Sequence, residues 1–279
     1  MRGCEPKKNE EVEPKDASTV ILVRDSARHA HKAIEVLMVL RHPASRFVAG
    51  SYVFPGGALD EEDCSGMEEL CAGLSGETAR KIIADTSSPG RSLGLWVAGI
   101  RETFEEVGLL LAYDRSGSLV SIRSPGEAEK FSGYRKGLWN KKIGFRRFLE
   151  KEDLRLAADR LHYYAHWITP AVLPIRYDVR FFVAAAPPGQ NARHDGKELT
   201  RHVWITPGEA LAAYEKRRFR MVLPTLMTMR ELNAFRTTEE VIRSTRGKEI
   251  PAILTRMTRR GDRQFEILPD GSVFGPCPI

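Results

Sequence analysis

Between Trp96 and Leu111 the chain reads Trp-Val-Ala-Gly-Ile-Arg-Glu-Thr-Phe-Glu-Glu-Val-Gly-Leu-Leu-Leu, and no other stretch restricts the fold so tightly. Glu102, Glu105 and Glu106 stand at i, i+3 and i+4, so in a helix their carboxylates leave nearly one face. Like charges at that spacing repel by about a few tenths of a kcal/mol per pair, a cost that a cation among the oxygens removes. Trp96, Ile100, Phe104 and Val107 fall on the other face, and Gly108 follows where a left-handed cap ends a helix. The spacing predicts a short amphipathic helix, one face buried and one acidic. A merely solvated acidic face has the same pattern, so the choice between the two readings depends on residues elsewhere.

Those residues lie upstream, in Tyr52-Val-Phe-Pro-Gly-Gly-Ala-Leu-Asp60. A short apolar run that stops at Pro55-Gly56-Gly57 reads as a strand turning into a loop, with glycine where the backbone approaches something closely. Gly57, Arg101, Glu102, Glu105, Glu106 and Gly108 together resemble the Nudix box, G-x5-E-x7-R-E-U-x-E-E-x-G-U, of hydrolases that cut nucleoside diphosphates linked to another moiety. Arg101 to Leu109 matches at every position except Thr103, where the family usually has an aliphatic residue. Asp63 replaces the first Glu, and residues 64 to 100, 37 rather than seven, separate it from Arg101. This interruption, with a first half reading Phe-Pro-Gly-Gly-x-x-Asp-x-x-Asp, is similar to the coenzyme A diphosphatase branch, the peroxisomal enzyme of animals and its bacterial relatives.

The resemblance implies an α/β fold, a mixed sheet flanked by helices as an α/β/α sandwich, and a cofactor of Mg²⁺ or Mn²⁺ held by Glu102, Glu105 and Glu106 with the Gly57 carbonyl. Arg101 would orient the acidic cluster; Asp63, one methylene shorter than Glu, would meet Arg101 rather than the metal. Glu105, Glu106, Arg101 and a late acidic residue would carry catalysis. For that last role Glu198, six residues before Trp204, is the candidate, with Asp195 its rival in the same loop. The block before the box, Leu40-Arg-His-Pro-Ala-Ser-Arg-Phe-Val-Ala-Gly-Ser-Tyr-Val-Phe54, resembles one in the coenzyme A-cleaving members, with Arg41, Arg46, Gly50 and Phe54 at matching spacings. The resemblance makes these four the substrate-binding candidates. Two arginines at a strand end suit phosphate because a guanidinium binds two oxygens at once; partnering surface carboxylates or backbone carbonyls is the alternative, and agreement at four spacings favours the ligand.

The substrate implied is coenzyme A or acyl-coenzyme A, cleaved to 3′,5′-ADP and a 4′-phosphopantetheine fragment. Another nucleoside diphosphate derivative, such as ADP-ribose or a nucleotide sugar, is the alternative within the enzyme class. A Nudix-like fold kept as a ligand-sensing or RNA-binding module is the alternative outside it, and that reading expects eroded glutamates where these are intact.

Charge agrees with a small polyanionic partner. The net charge is +6, and residues 130–147 hold seven Lys or Arg and no acid, yet no nucleic-acid motif accompanies them, so none is expected as a partner. No apolar run approaches the ~20 residues needed to span a bilayer, so a membrane partner is not expected either and a soluble, cytoplasmic protein is. Cys4, Cys64, Cys71 and Cys277 are scattered and suit neither a zinc site nor a disulfide framework.

Along the chain, residues 1–17 read as a disordered tail and 18–235 as the Nudix domain, with 64–95 an insertion inside the box. Residues 236–279 form a basic extension packed on the domain. Strands are expected at 18–24, 33–41, 109–113, 165–170, 176–186 and 264–268, and helices at 75–85, within 127–160, from Pro207 behind an N-capping Thr206, and at 224–235.

Overall fold

The computed structural model describes residues 12–28, 33–194 and 196–277. Most of the tail and Asp195 lie outside them. The elements begin with β1 (Lys15–Asp25), β2 (Ile34–Arg41), β3 (Tyr52–Val53) and β4 (Gly56–Ala58). Then follow α1 (Glu61–Cys64), α2 (Gly76–Ile82), α3 (Pro89–Val107), β5 (Ala112–Tyr113), α4 (Pro125–Trp139), α5 (Phe145–Glu152) and β6 (Arg155–Leu156). The second half holds β7 (His162–Ile168), β8 (Tyr177–Ala185), β9 (Leu199–Ile205), α6 (Pro207–Glu215), α7 (Leu223–Leu232) and α8 (Thr238–Ser244). Last come β10 (Ala252–Leu254), β11 (Arg256–Arg260), β12 (Arg263–Ile267) and β13 (Val273–Cys277).

One mixed sheet runs β10-β7-β8-β1-β2-β3, with β4 added to β1 and β9 to β2. β1 starts at Lys15, ahead of the expected Ser18, because Lys15, Asp16 and Ala17 pair in parallel with Tyr177, Asp178 and Val179 of β8. Both faces of the sheet are covered, which is why β1 and β2 read as unbroken apolar runs rather than alternating ones. On one face Val20, Leu22, Leu37, Val39 and Phe182 pack with Trp96, Ile100, Phe104 and Val107 of α3 and with Phe131, Phe148 and Leu149 of α4 and α5. On the other, Ile21, Val23, Val36, Met38 and Tyr164 pack with Ala210, Leu226, Met229 and Leu232 of α6 and α7, and with Val241 of α8. This is the α/β/α sandwich.

α3 starts at Pro89, well before Trp96. The turn-rich stretch Thr86-Ser-Ser-Pro-Gly-Arg-Ser holds the helix start, with the Ser88 side chain accepting from Arg91 N and Pro89 in the first turn. Gly108 ends the helix at φ 72° and sends its N–H to Phe104 O. Thr103 is buried, and its hydroxyl donates to Gly99 O at 2.7 Å, so the departure from an aliphatic residue leaves no orphan polar group. α1, ahead of the insertion, and α2, within it, both pack along α3.

The extension divides. β10 joins the main sheet beside β7, while β11, β12 and β13 form a small sheet of their own, and Ile253, Leu268 and Phe274 pack against the core face opposite α3. Only Ala112–Tyr113 of the expected strand 109–113 is extended, paired with β6, because Leu109, Leu110 and Leu111 are buried beneath α4 and α5 as part of the turn out of α3.

Candidate active site

Two backbone features bring the halves of the box together across 37 intervening residues, 64 to 100. β4 pairs with the start of β1, Ser18 opposite Gly57, which lays Gly56 and Gly57 under α3. There Gly56 N donates to Glu106 Oε2 at 3.0 Å. A Cβ on Gly57 would stand 2.4 Å from Glu102 Cδ, so glycine lets the carboxylate lie against the strand where any side chain would displace it.

Arg101 binds the first half of the box. Its Nε and Nη2 donate to the two carboxylate oxygens of Asp63 at 2.9 Å each, Nη2 also to Ala58 O at 3.0 Å, and Nη1 to Glu102 Oε1 at 2.7 Å. Glu105 Oε1 lies 3.5 Å from Nη1 and Asp60 Oδ2 lies 3.7 Å from Nη2. Burial works against the charge on Arg101, yet Asp63, Glu102 and Glu105 hold its pKa above the usual range. Asp63 is placed by a capping box in which it accepts from Asp60 N at 2.9 Å. The short acid therefore suffices because its task is to receive the guanidinium fork.

The three glutamates differ in their surroundings. Burial pushes Glu102 up to about 7, with Arg101 opposing the rise. Burial also raises Glu105, again against Arg101. Glu106 is raised well above the carboxylate range, first by burial and then by the charge of Glu102. It is 6% exposed, and its hydrogen bond among the described residues comes from an amide, not from a cationic side chain. A buried carboxylate held so weakly costs several kcal/mol, on the order estimated for any ion taken from water without a full counter-charge. A divalent cation would supply that charge.

The late loop reaches the same place. Glu198 accepts from Arg41 Nη2 at 2.5 Å, and both act on Glu106 through their charges, Glu198 raising and Arg41 lowering it. Arg41 Nε is buried with no hydrogen-bond partner among the described residues. Arg46 lies exposed in the loop between β2 and β3. Gly50 has φ 63° with open space around it, so its part is the turn. Phe54 is 3% exposed and meets Phe181 edge-on at 6.3 Å within the opposite core. Its side chain packs with Tyr52 and Phe181 in the core on the sheet face opposite α3.

The described residues bring together one further set of ligating side chains, Asp85, His166 and Asp178, with ligand atoms within 4.8 Å of one another. Glu102, Glu105 and Glu106 are not drawn together that tightly. The tighter set already holds a cation: Arg180 Nη2 is 2.8 Å from Asp85 Oδ2, and Nη1 is 2.9 Å from both Asp178 Oδ1 and Asp16 Oδ1. This network ties the insertion to the sheet and does not fit a metal.

Several contacts had no sequence signal beyond residue type. Gly56 N, Ala58 O and Asp60 N serve the site through backbone position, and Arg135 and Trp139 of α4 meet the end of α3 (below).

Comparison with known proteins agrees with this geometry. A family model described as the NUDT19 Nudix domain matches residues 14–232. The acyl-coenzyme A diphosphatase NUDT19 of Xenopus laevis is 26% identical over 235 residues, 74% of this chain, and the chain spans 62% of that protein's length. The Homo sapiens protein of the same name is 22% identical over 87% of this chain and 73% of its own. Among solved structures, a NUDIX hydrolase from Alicyclobacillus acidocaldarius is 26% identical, covers 83% of this chain and 96% of its own, and superposes with a TM-score of 0.64.

Proposed function

The chain belongs to the NUDT19 Nudix domain family, and from that premise we propose that it hydrolyses the diphosphate bond of coenzyme A or acyl-coenzyme A with a bound Mg²⁺ or Mn²⁺, giving 3′,5′-ADP and (acyl-)4′-phosphopantetheine. The observation that carries the metal is Glu106, a buried carboxylate beside Glu102 without a cationic hydrogen-bond partner among the described residues. All-oxygen donors suit a hard divalent ion, and Glu102, Glu105, Glu106 and the Gly57 carbonyl are the groups we assign to it. When bound, the ion would neutralise phosphoryl charge and lower the pKa of water to the working range.

The protein's own residues do the rest. Arg101 keeps its fork in Asp63 and orients Glu102 and Glu105, so it acts on the ligands and not on the substrate. Arg41 presents a buried, unpartnered Nε and exchanges its Glu198 partner for a phosphate oxygen when substrate binds. Glu198, released beside Glu106, is then the group we assign to accept the proton of the attacking water. Arg46 and the Gly50 turn frame the entrance from the β2–β3 loop, and Phe54 supports that loop from the core.

The test incubates the purified chain and Mg²⁺ or Mn²⁺ with coenzyme A, acyl-coenzyme A, ADP-ribose and a nucleotide sugar, with products weighed by mass spectrometry. Release of 3′,5′-ADP from the coenzyme A substrates is the expected result. Intact coenzyme A beside consumed ADP-ribose would overturn the substrate assignment.

A further inference from the structure

The last four carbonyls of an α-helix have no intrahelical donor, and in α3 that turn includes Glu105 and Glu106. The helix's own cap and other elements supply the donors. Gly108 N reaches Phe104 O at 2.9 Å, and Arg193 N, from the loop that leads to Glu198, reaches Val107 O at 2.8 Å. Glu105 O receives three from α4: Arg135 Nη2 at 2.8 Å, Arg135 Nε at 3.3 Å and Trp139 Nε1 at 3.1 Å. A carbonyl oxygen has two lone pairs, so three converging N–H groups fix its direction more firmly than a single bond would.

The choice of donor also matters. The end of a helix carries a partial negative charge that adds to repulsion among the carboxylates, and the buried Arg135 guanidinium opposes it. Gly108 permits the approach: a Cβ there would lie 2.9 Å from Arg135 Nη1. The Trp139 ring has Arg135 Cζ at 5.0 Å and Lys197 Nζ at 5.3 Å from its centroid. Lys197 adjoins Glu198, whose carboxylate bonds Arg41. One indole thus touches the carboxylate-bearing turn through its N–H and the late loop through its face.

We infer that Arg135 and Trp139 are positioning residues: by holding the Glu105 carbonyl they aim the Glu105 and Glu106 carboxylates at the cation, and through Lys197 they keep the Glu198 loop in register with them. The inference rests on the cation reading given above. Mg²⁺ demands near-ideal octahedral geometry, so a small tilt of this turn weakens binding without unfolding the helix.

Two variants of the full chain test it, with Mn²⁺ uptake followed by electron paramagnetic resonance and cation-free melting followed by circular dichroism. Trp139→Phe keeps a ring and removes the N–H; Arg135→Lys keeps the charge and removes the fork. In each, the Mn²⁺ half-saturation concentration is expected to rise about three- to tenfold, the effect of one lost hydrogen bond. The cation-free Tm of Trp139→Phe is expected to stay within about 2 °C of the parent. Half-saturation equal to the parent's in both variants overturns the inference, as does an affinity loss in Trp139→Phe accompanied by a fall in Tm beyond that margin. A parent that takes up no Mn²⁺ refutes the cation reading itself, which the parent titration alone reveals.

Discussion

Every arm of the Arg101 guanidinium is engaged by the first half of the box or by the helix it stands on, which makes it the link between segments the insertion separates. Removing it strands Asp63, whose side chain is 2% exposed. Arg101→Leu is therefore expected to lower the unfolding free energy by about 3–5 kcal/mol, the cost of leaving one member of a buried pair, as read in urea titrations. Glu106→Gln keeps shape and removes charge. Turnover is expected to fall by about two to three orders of magnitude, several kcal/mol of charge stabilisation at tenfold per 1.36 kcal/mol, with the cation-free fold as stable as the parent's or more so. At this scale the sequence was most readable where chemistry and spacing coincide. Glu102, Glu105, Glu106, Arg101, Asp63 and Gly57 needed only the helix period and a motif, and the structure brings them together. A spacing match does not say which face of the sheet a residue takes, and Phe54 packs against Phe181 in the opposite core.

Among the elements, α3 is the one the site depends on, and its length shows what pattern reading misses. The apolar period draws the eye to Trp96, but Ser88 and Pro89 start the helix in a stretch rich in turn residues, where the same residue types signal both a cap and a loop. The added turns give the insertion a surface to pack on, with Gly94 admitting Cys64 and Leu59. The carboxylates of α3 also set a pH dependence. A carboxyl whose folded pKa is raised loses stability as pH climbs from the unfolded value toward the folded one, since the unfolded chain ionises first. For Glu102 that window runs from the ordinary 4.5 to about 7. Above it the folded, cation-free protein carries the full repulsion, and a divalent ion removes it. The rise in Tm on adding Mn²⁺ is therefore expected to be larger at pH 8 than at pH 6, and Glu102→Gln is expected to flatten that difference, as differential scanning calorimetry would show.

The whole molecule separates the site from its support. α3 and the late loop lie on one side of the sheet that β4 joins, whereas the extension packs on the other through Ile253, Leu268 and Phe274 and adds β10 to the β7 edge. No helix among the described residues is long and apolar enough to cross a membrane. Removing residues 246–279 is expected to lower Tm by uncovering Tyr164 and Trp167, while Mn²⁺ half-saturation stays within about twofold, since effects at distant, unshared sites add independently. The sandwich came from the resemblance, while interleaved helix and strand signals alone pointed to a mixed sheet with flanking helices, since such elements admit few arrangements. The pairing of β10 with β7 was not, being a contact between remote, weakly patterned segments. The account as a whole turns on whether the acidic turn of α3 takes a divalent ion. Isothermal titration of Mn²⁺ into the parent and Glu106→Gln, each with a non-hydrolysable diphosphate analogue present, measures this directly. The parent is expected to bind with a saturable isotherm that is lost or weakened at least tenfold in the variant, on the order of one lost charged ligand; no heat in the parent, or equal isotherms in the two, would contradict it.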